Sequence, residues 1–172
     1  SMMRRLACGS MRFSDTPAKV ASKTWGNGIT RICTWAVLLD AANGRTISVY
    51  NLHLDHQSEL SRQRSAELLA NRLMDRPPSS RMPTIVTGDF NCGEDSKAIQ
   101  MLTVGPVARP AAEGGSEDLR TSGPSPRVRA GPELIDTFRA VHPDDVNVRT
   151  FHAFKGVSDT TGKGGPQGAL TE

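Results

Sequence analysis

Two apolar runs that each end in polar, chemistry-bearing residues, joined by one amphipathic stretch, constrain this chain more than any other feature. Residues 46–54 alternate as a strand does, with Ile47, Val49, Asn51 and His53 on one face and Ser48, Tyr50, Leu52 and Leu54 on the other. The first face turns from apolar to polar at Asn51, as expected where a strand leaves a core and enters a site. Residues 58–75 predict a helix. Ser58 can cap it, Glu59 sits at its positive end, and Ala66, Leu69, Ala70, Leu73 and Met74 form an apolar stripe at helical spacing. Pro77 and Pro78 stop it. Pro83 then leads into a short buried strand, Thr84 to Thr87, which breaks at Gly88-Asp89-Phe90-Asn91.

Upstream, residues 31–40 read as a buried strand, and Ala42-Asn43-Gly44 supplies a hairpin turn into the next one. Residues 1–23 show little periodicity and predict an irregular lead-in, with a turn at Ser14-Asp15-Thr16-Pro17. Ser1-Met2-Met3 looks like the scar of a tag, so residues 1–12 fall outside the expected domain. Downstream, a helix is predicted from Glu94 or Asp95 to Leu102, a long mobile loop over 103–132, a short helix from Leu134 to Val141 and a short strand from Arg149 to Phe154. The tail, 157–172, lacks core-forming residues and is expected to be flexible. One domain over 13–156 results. Its element order predicts an α/β layered architecture with a mixed or largely antiparallel sheet.

With 172 residues the chain suffices for one ordinary domain, and its lean 37% hydrophobic content agrees with a compact part followed by a loose one. The net charge of +3 comes from dispersed Lys and Arg, with no basic run of the kind that tracks a nucleic-acid backbone, so tight non-specific duplex binding is not expected. Three cysteines without CxxC spacing read as reduced thiols or packing residues, not as a zinc site. No stretch is long and apolar enough to span a membrane. The sequence leaves the compartment open.

Chemistry can come from two constellations. Period-2 geometry gathers Asn51, His53 and Asp55 at a strand end, where an imidazole can orient a phosphate or stabilise charge developing on it. A histidine simply satisfied near a strand terminus is the competing reading. In Gly88-Asp89-Phe90-Asn91, Gly88 permits a sharp turn, and Asp89 and Asn91 can converge on one point. A carboxylate and an amide so placed could polarise a water or hold part of a metal shell. Here the competing reading is an Asx turn that starts the next helix.

Taken together, a strand ending in His, one helix and a strand ending in Gly-Asp-Phe-Asn resemble the endonuclease/exonuclease/phosphatase family, the group that includes deoxyribonuclease I. Trp25-Gly26-Asn27, Arg31-Ile32-Cys33-Thr34-Trp35-Ala36, Asn51-Leu52-His53-Leu54-Asp55-His56 and Thr150-Phe151-His152-Ala153-Phe154 are similar to a bacterial branch of it. The resemblance implies a deoxyribonuclease I-like layered β-sandwich flanked by helices, present here in its central portion. It implies hydrolysis of a phosphodiester or phosphomonoester by water, with Mg²⁺ or Mn²⁺ as cofactor. His53, Asp89 and Asn91 would be catalytic, Arg31, Asn51, Asp55 and His56 would face substrate, and Asp89 and Asn91 are candidate partial metal ligands. His152 reads as a loop or core histidine. The family's metal-binding glutamate and its final Ser-Asp-His motif have no counterpart, so weak or absent turnover and self-association through exposed sheet edges are expected. A non-catalytic remnant or binding module is the main alternative. A metallo-β-lactamase-like hydrolase is another, since Asn51-x-His53-x-Asp55-His56 resembles a zinc motif with its first His replaced.

Overall fold

The computed structural model describes residues 2–75, 82–103, 132 and 134–145. Seven elements follow in order: β1 (Met3–Arg12), β2 (Ile32–Asp40), β3 (Thr46–His53), α1 (Glu59–Met74), β4 (Thr84–Asp89), α2 (Lys97–Thr103) and α3 (Thr137–Val141). The strands form one sheet in the order β1-β2-β3-β4. β1 and β2 pair antiparallel, as do β2 and β3, whereas β3 and β4 are parallel because α1 carries the chain back between them. The sheet is therefore mixed, as the element order predicts.

The hairpin forms where expected. Gly44 takes φ 71°, and its N–H donates to the Asp40 carbonyl at 2.8 Å. Helix α1 starts at its predicted cap: the Ser58 hydroxyl accepts from the Ser61 N–H at 3.1 Å. Ala66, Leu69 and Leu73 from its apolar stripe are buried, together with the small Ser61 and Ser65, and Ala70 packs partly buried against the same core. That core also holds Met11, Phe13, Cys33, Tyr50, Leu52, Leu54, Ala98 and Leu102. Ser48, Tyr50, Leu52 and Leu54 thus point toward the helices. On the opposite face of the sheet Ile85 is half exposed, and Asn51 and His53 are exposed.

The irregular lead-in predicted over residues 1–23 is corrected: β1 occupies Met3–Arg12. A register shift between Arg5 and Ala7 breaks its period-2 pattern, and Arg4, Arg5 and Arg12 lie along an outer edge. A Cβ added at Gly9 would stand 2.8 Å from the Trp35 ring, so this strand depends on a small residue at that point. Two helices start later than predicted. Residues 94–95 are a turn ahead of α2, and α3 begins after Asp136, whose side chain caps it by accepting from the N–H groups of Phe138 and Arg139. Arg139 then grips both carboxylate oxygens of Glu94 at 2.6 Å. Among the described residues there is one sheet. The predicted loop over 103–132, apart from its two end residues, the predicted strand Arg149–Phe154 with His152, and the predicted tail lie outside them.

Candidate functional site at the tips of two parallel strands

The parallel register sets His53 directly beside Asp89, at the ends of β3 and β4. Both project from the face opposite the helices, in line with the exposed Asn51 and Thr87. His53 Nε2 lies 3.5 Å from Asp89 Oδ2, and the two side chains are 48% and 25% exposed, so a ligand can reach the pair. The two strand tips that the sequence points to are thus brought together.

Their geometry is set by the backbone. The Leu54 N–H donates to the Asp89 carbonyl at 2.8 Å, and the Asn91 side-chain Nδ2 donates to the Leu54 carbonyl at 3.0 Å. Asp89 Oδ1 accepts the Asn91 N–H at 2.8 Å. That Asx turn holds Asn91 in the left-handed region, φ 50°, which an asparagine tolerates. Gly88 has φ 132°, and a Cβ there would lie 1.9 Å from the Leu52 carbonyl oxygen, so the two tips approach closely because residue 88 has no side chain. Asn91 itself is buried, with its amide turned to β3 as a brace.

Arg31, Asp55 and His56 form a second group. Arg31 and Asp55 are 4% and 1% exposed. Arg31 Nε donates to Asp55 Oδ2 at 3.3 Å, and Arg31 Nη2 lies 2.5 Å from His56 Nδ1. Asp55 Oδ1 accepts the N–H groups of Gln57 and Ser58 at 2.9 and 2.7 Å. Burial by itself pushes the Asp55 carboxyl up, but these N–H groups and the Arg31 guanidinium outweigh it and hold the group below the ordinary carboxylate value. Arg31 and Asp55, expected to face substrate, are thus enclosed and engaged with each other, while His56 remains exposed. Arg62 was not anticipated. Its Nη1 donates to the Asp55 carbonyl at 2.8 Å, and nothing in the sequence distinguishes it from Arg64, which makes an exposed pair with Glu67. Trp25, in one of the resembling segments, accepts at its carbonyl from Ser58 Oγ and donates from its indole to Asp15.

The donors that the described residues supply do not by themselves make a site for a divalent cation. Among the described residues no group of three or more His, Cys, Asp and Glu side chains could hold a metal ion. One Asp89 oxygen is taken by the Asn91 N–H, the other faces His53, and the Asn91 amide is directed at Leu54. Nor does the Asn51–His56 segment assemble a zinc site, because both Asp55 oxygens are bound within the protein.

No protein-family model and no curated protein matches the chain. Solved structures do. An endonuclease/exonuclease/phosphatase family protein of Bacteroides vulgatus is 30% identical with a TM-score of 0.54, over 58% of this chain and 38% of that one. A family protein of Bacteroides thetaiotaomicron is 28% identical, also at 0.54, over 57% of this chain and 35% of that one. A mannosyl-6-phosphatase of the same organism is 28% identical at 0.54, over 57% and 36%. The chain therefore spans little more than a third of the length of these relatives.

Proposed function

We propose that this chain, which carries the fold of the endonuclease/exonuclease/phosphatase family, recognises a phosphate ester at the tips of β3 and β4 and promotes its hydrolysis. One observation carries the proposal: His53 and Asp89 stand side by side on an exposed face, held there by the backbone. The imidazole can donate to a phosphate oxygen, and the carboxylate can accept from and orient an attacking water. Asn91 contributes by fixing Asp89 and Leu54, and Asn51 extends the same face toward the remainder of a substrate. Relatives at 28–30% identity, one of them a mannosyl-6-phosphatase, support a phosphoesterase chemistry. Mg²⁺ or Mn²⁺ is implied by the resemblance. The described residues do not fit such an ion, and none of the roles assigned to them passes through it.

That donor set favours a second reading, a module that binds the phosphate ester without turning it over. Hydrolysis of bis(p-nitrophenyl) phosphate, with and without Mn²⁺, separates the two when combined with phenyl phosphate binding. Weak turnover by the wild type that vanishes in Asp89→Ala is the expected result. Equal rates in both proteins would remove the assigned site. Binding that His53→Ala abolishes, with no turnover above buffer, would establish the second reading. Self-association belongs to the same proposal. It would use the edge of β4 that no described strand pairs, uncharged from Thr84 to Gly88, because a bulge and three arginines blunt β1. Light scattering of Ile85→Lys against the wild type tests it, with an unchanged mass distribution as the refuting result.

A further inference from the structure

We infer that Arg31 and Asp55 are positioning residues that fix the His53 strand tip and orient His56, and that neither touches the phosphate ester. The inference rests on the phosphate-ester proposal above. Every polar group of Asp55 beyond its own N–H has an internal partner. Oδ2 accepts from Arg31, Oδ1 accepts from Gln57 and Ser58, and the carbonyl accepts from Arg62. With 4% and 1% of their surfaces exposed, neither Arg31 nor Asp55 can meet an anion unless the ion pair opens.

What the pair does instead follows from its place in the chain. Asp55 is two residues beyond His53, and Leu54 between them is clamped to β4 through its N–H and to Asn91 in the turn after β4 through its carbonyl. The tip of β3 is thus held from two sides, by β4 through Leu54 and by the head of β2 through Asp55. Arg31 stands one residue before β2, and its own carbonyl is fixed by the Phe13 N–H at 2.8 Å. A guanidinium can only donate, so His56 Nδ1 is the acceptor and the ring proton lies on Nε2. Arg31 therefore sets the orientation and tautomer of an exposed imidazole while staying out of reach itself.

Phenyl phosphate affinity, read by ³¹P NMR, and amide hydrogen exchange test this on the full chain with Asp55→Asn, Arg31→Met, Arg31→Lys and the double variant Arg31→Met/Asp55→Asn. Positioning predicts that each single change weakens the affinity about tenfold, because the His53 strand tip loses its fixed place, and that the double variant is no worse than either single. It also predicts faster exchange of the Leu54 N–H, with the Tyr50 amide as an unaffected control. Direct contact predicts the opposite pattern. Asp55→Asn would then retain or raise the affinity by removing a negative charge, and Arg31→Lys would behave like the wild type; either result overturns the inference. If the wild type fails to bind phenyl phosphate, the proposed function fails, and with it the claim about substrate. The positioning itself is then decided by exchange alone, and a Leu54 amide indifferent to Asp55→Asn overturns it.

Discussion

Replacing Gly88 with alanine probes how closely the two strand tips must approach. At φ 132° an L side chain is strained, at a cost on the order of 1–3 kcal/mol. The added methyl would also sit 1.9 Å from the Leu52 carbonyl oxygen, a backbone atom that cannot swing aside. Relief requires β3 and β4 to separate by more than an ångström, which would stretch two or three ladder hydrogen bonds worth about 1 kcal/mol each. The expected loss is therefore about 3–6 kcal/mol, a large share of the roughly 5–15 kcal/mol that stabilises a domain. Two other glycines calibrate it. At Gly44, φ is 71° but the space is open, so Gly44→Ala should cost only about 1 kcal/mol. At Gly28 a Cβ meets nothing within 4 Å, and Gly28→Ala should be close to neutral. Urea unfolding followed by the fluorescence of Trp25 and Trp35 ranks the three. If Gly88→Ala unfolds at the same urea concentration as Gly28→Ala, the close approach of the tips is refuted.

Three further outcomes follow from the same structure. The Asp55 carboxyl is held below its ordinary value in the folded state, so its contribution is complete above the unfolded value near 3.8 and is lost as pH falls through the lower folded value. Urea midpoints should accordingly drop in acid for the wild type and respond less to pH in Asp55→Asn. Leu69→Ala removes a fully buried side chain from the core and should cost about 2–5 kcal/mol in the same unfolding assay. Burial raises the Cys33 thiol to about 11 and shifts Cys92 in the same direction, whereas Cys8 is exposed. Ellman's reagent should therefore react with Cys8 in the folded protein and with the other two only after denaturation.

Elements with uninterrupted local patterns were legible in the sequence. β2, β3, α1 and β4 are read from alternation, a serine cap and proline stops, and their bounds agree with the structure to within a few residues. β1 was not, because its bulge shifts the alternation midway and its arginines tolerate an outer edge. The meeting of His53 and Asp89 was foreseeable, since two strands flanking a single helix readily become parallel neighbours. The partnership of Arg31 and Asp55 was hidden, because an ion pair across 24 positions leaves no local periodic trace and an arginine at a strand head usually lies in water. Asn91 was foreseen as a site residue but not as a brace, a role that depends on the left-handed turn its own side chain stabilises.

The lacing between Leu54, Asp89 and Asn91 separates scaffold from chemistry everywhere but at Asp89, whose carboxylate serves both. The hydrogen bonds that hold the two tips together use backbone groups and the buried Asn91 amide, while Asn51, His53 and Thr87 stand on the exposed face outside that lacing. Those three positions can consequently be exchanged for other side chains with little structural penalty, so a lineage built on this frame could retune what it recognises without relearning how to fold.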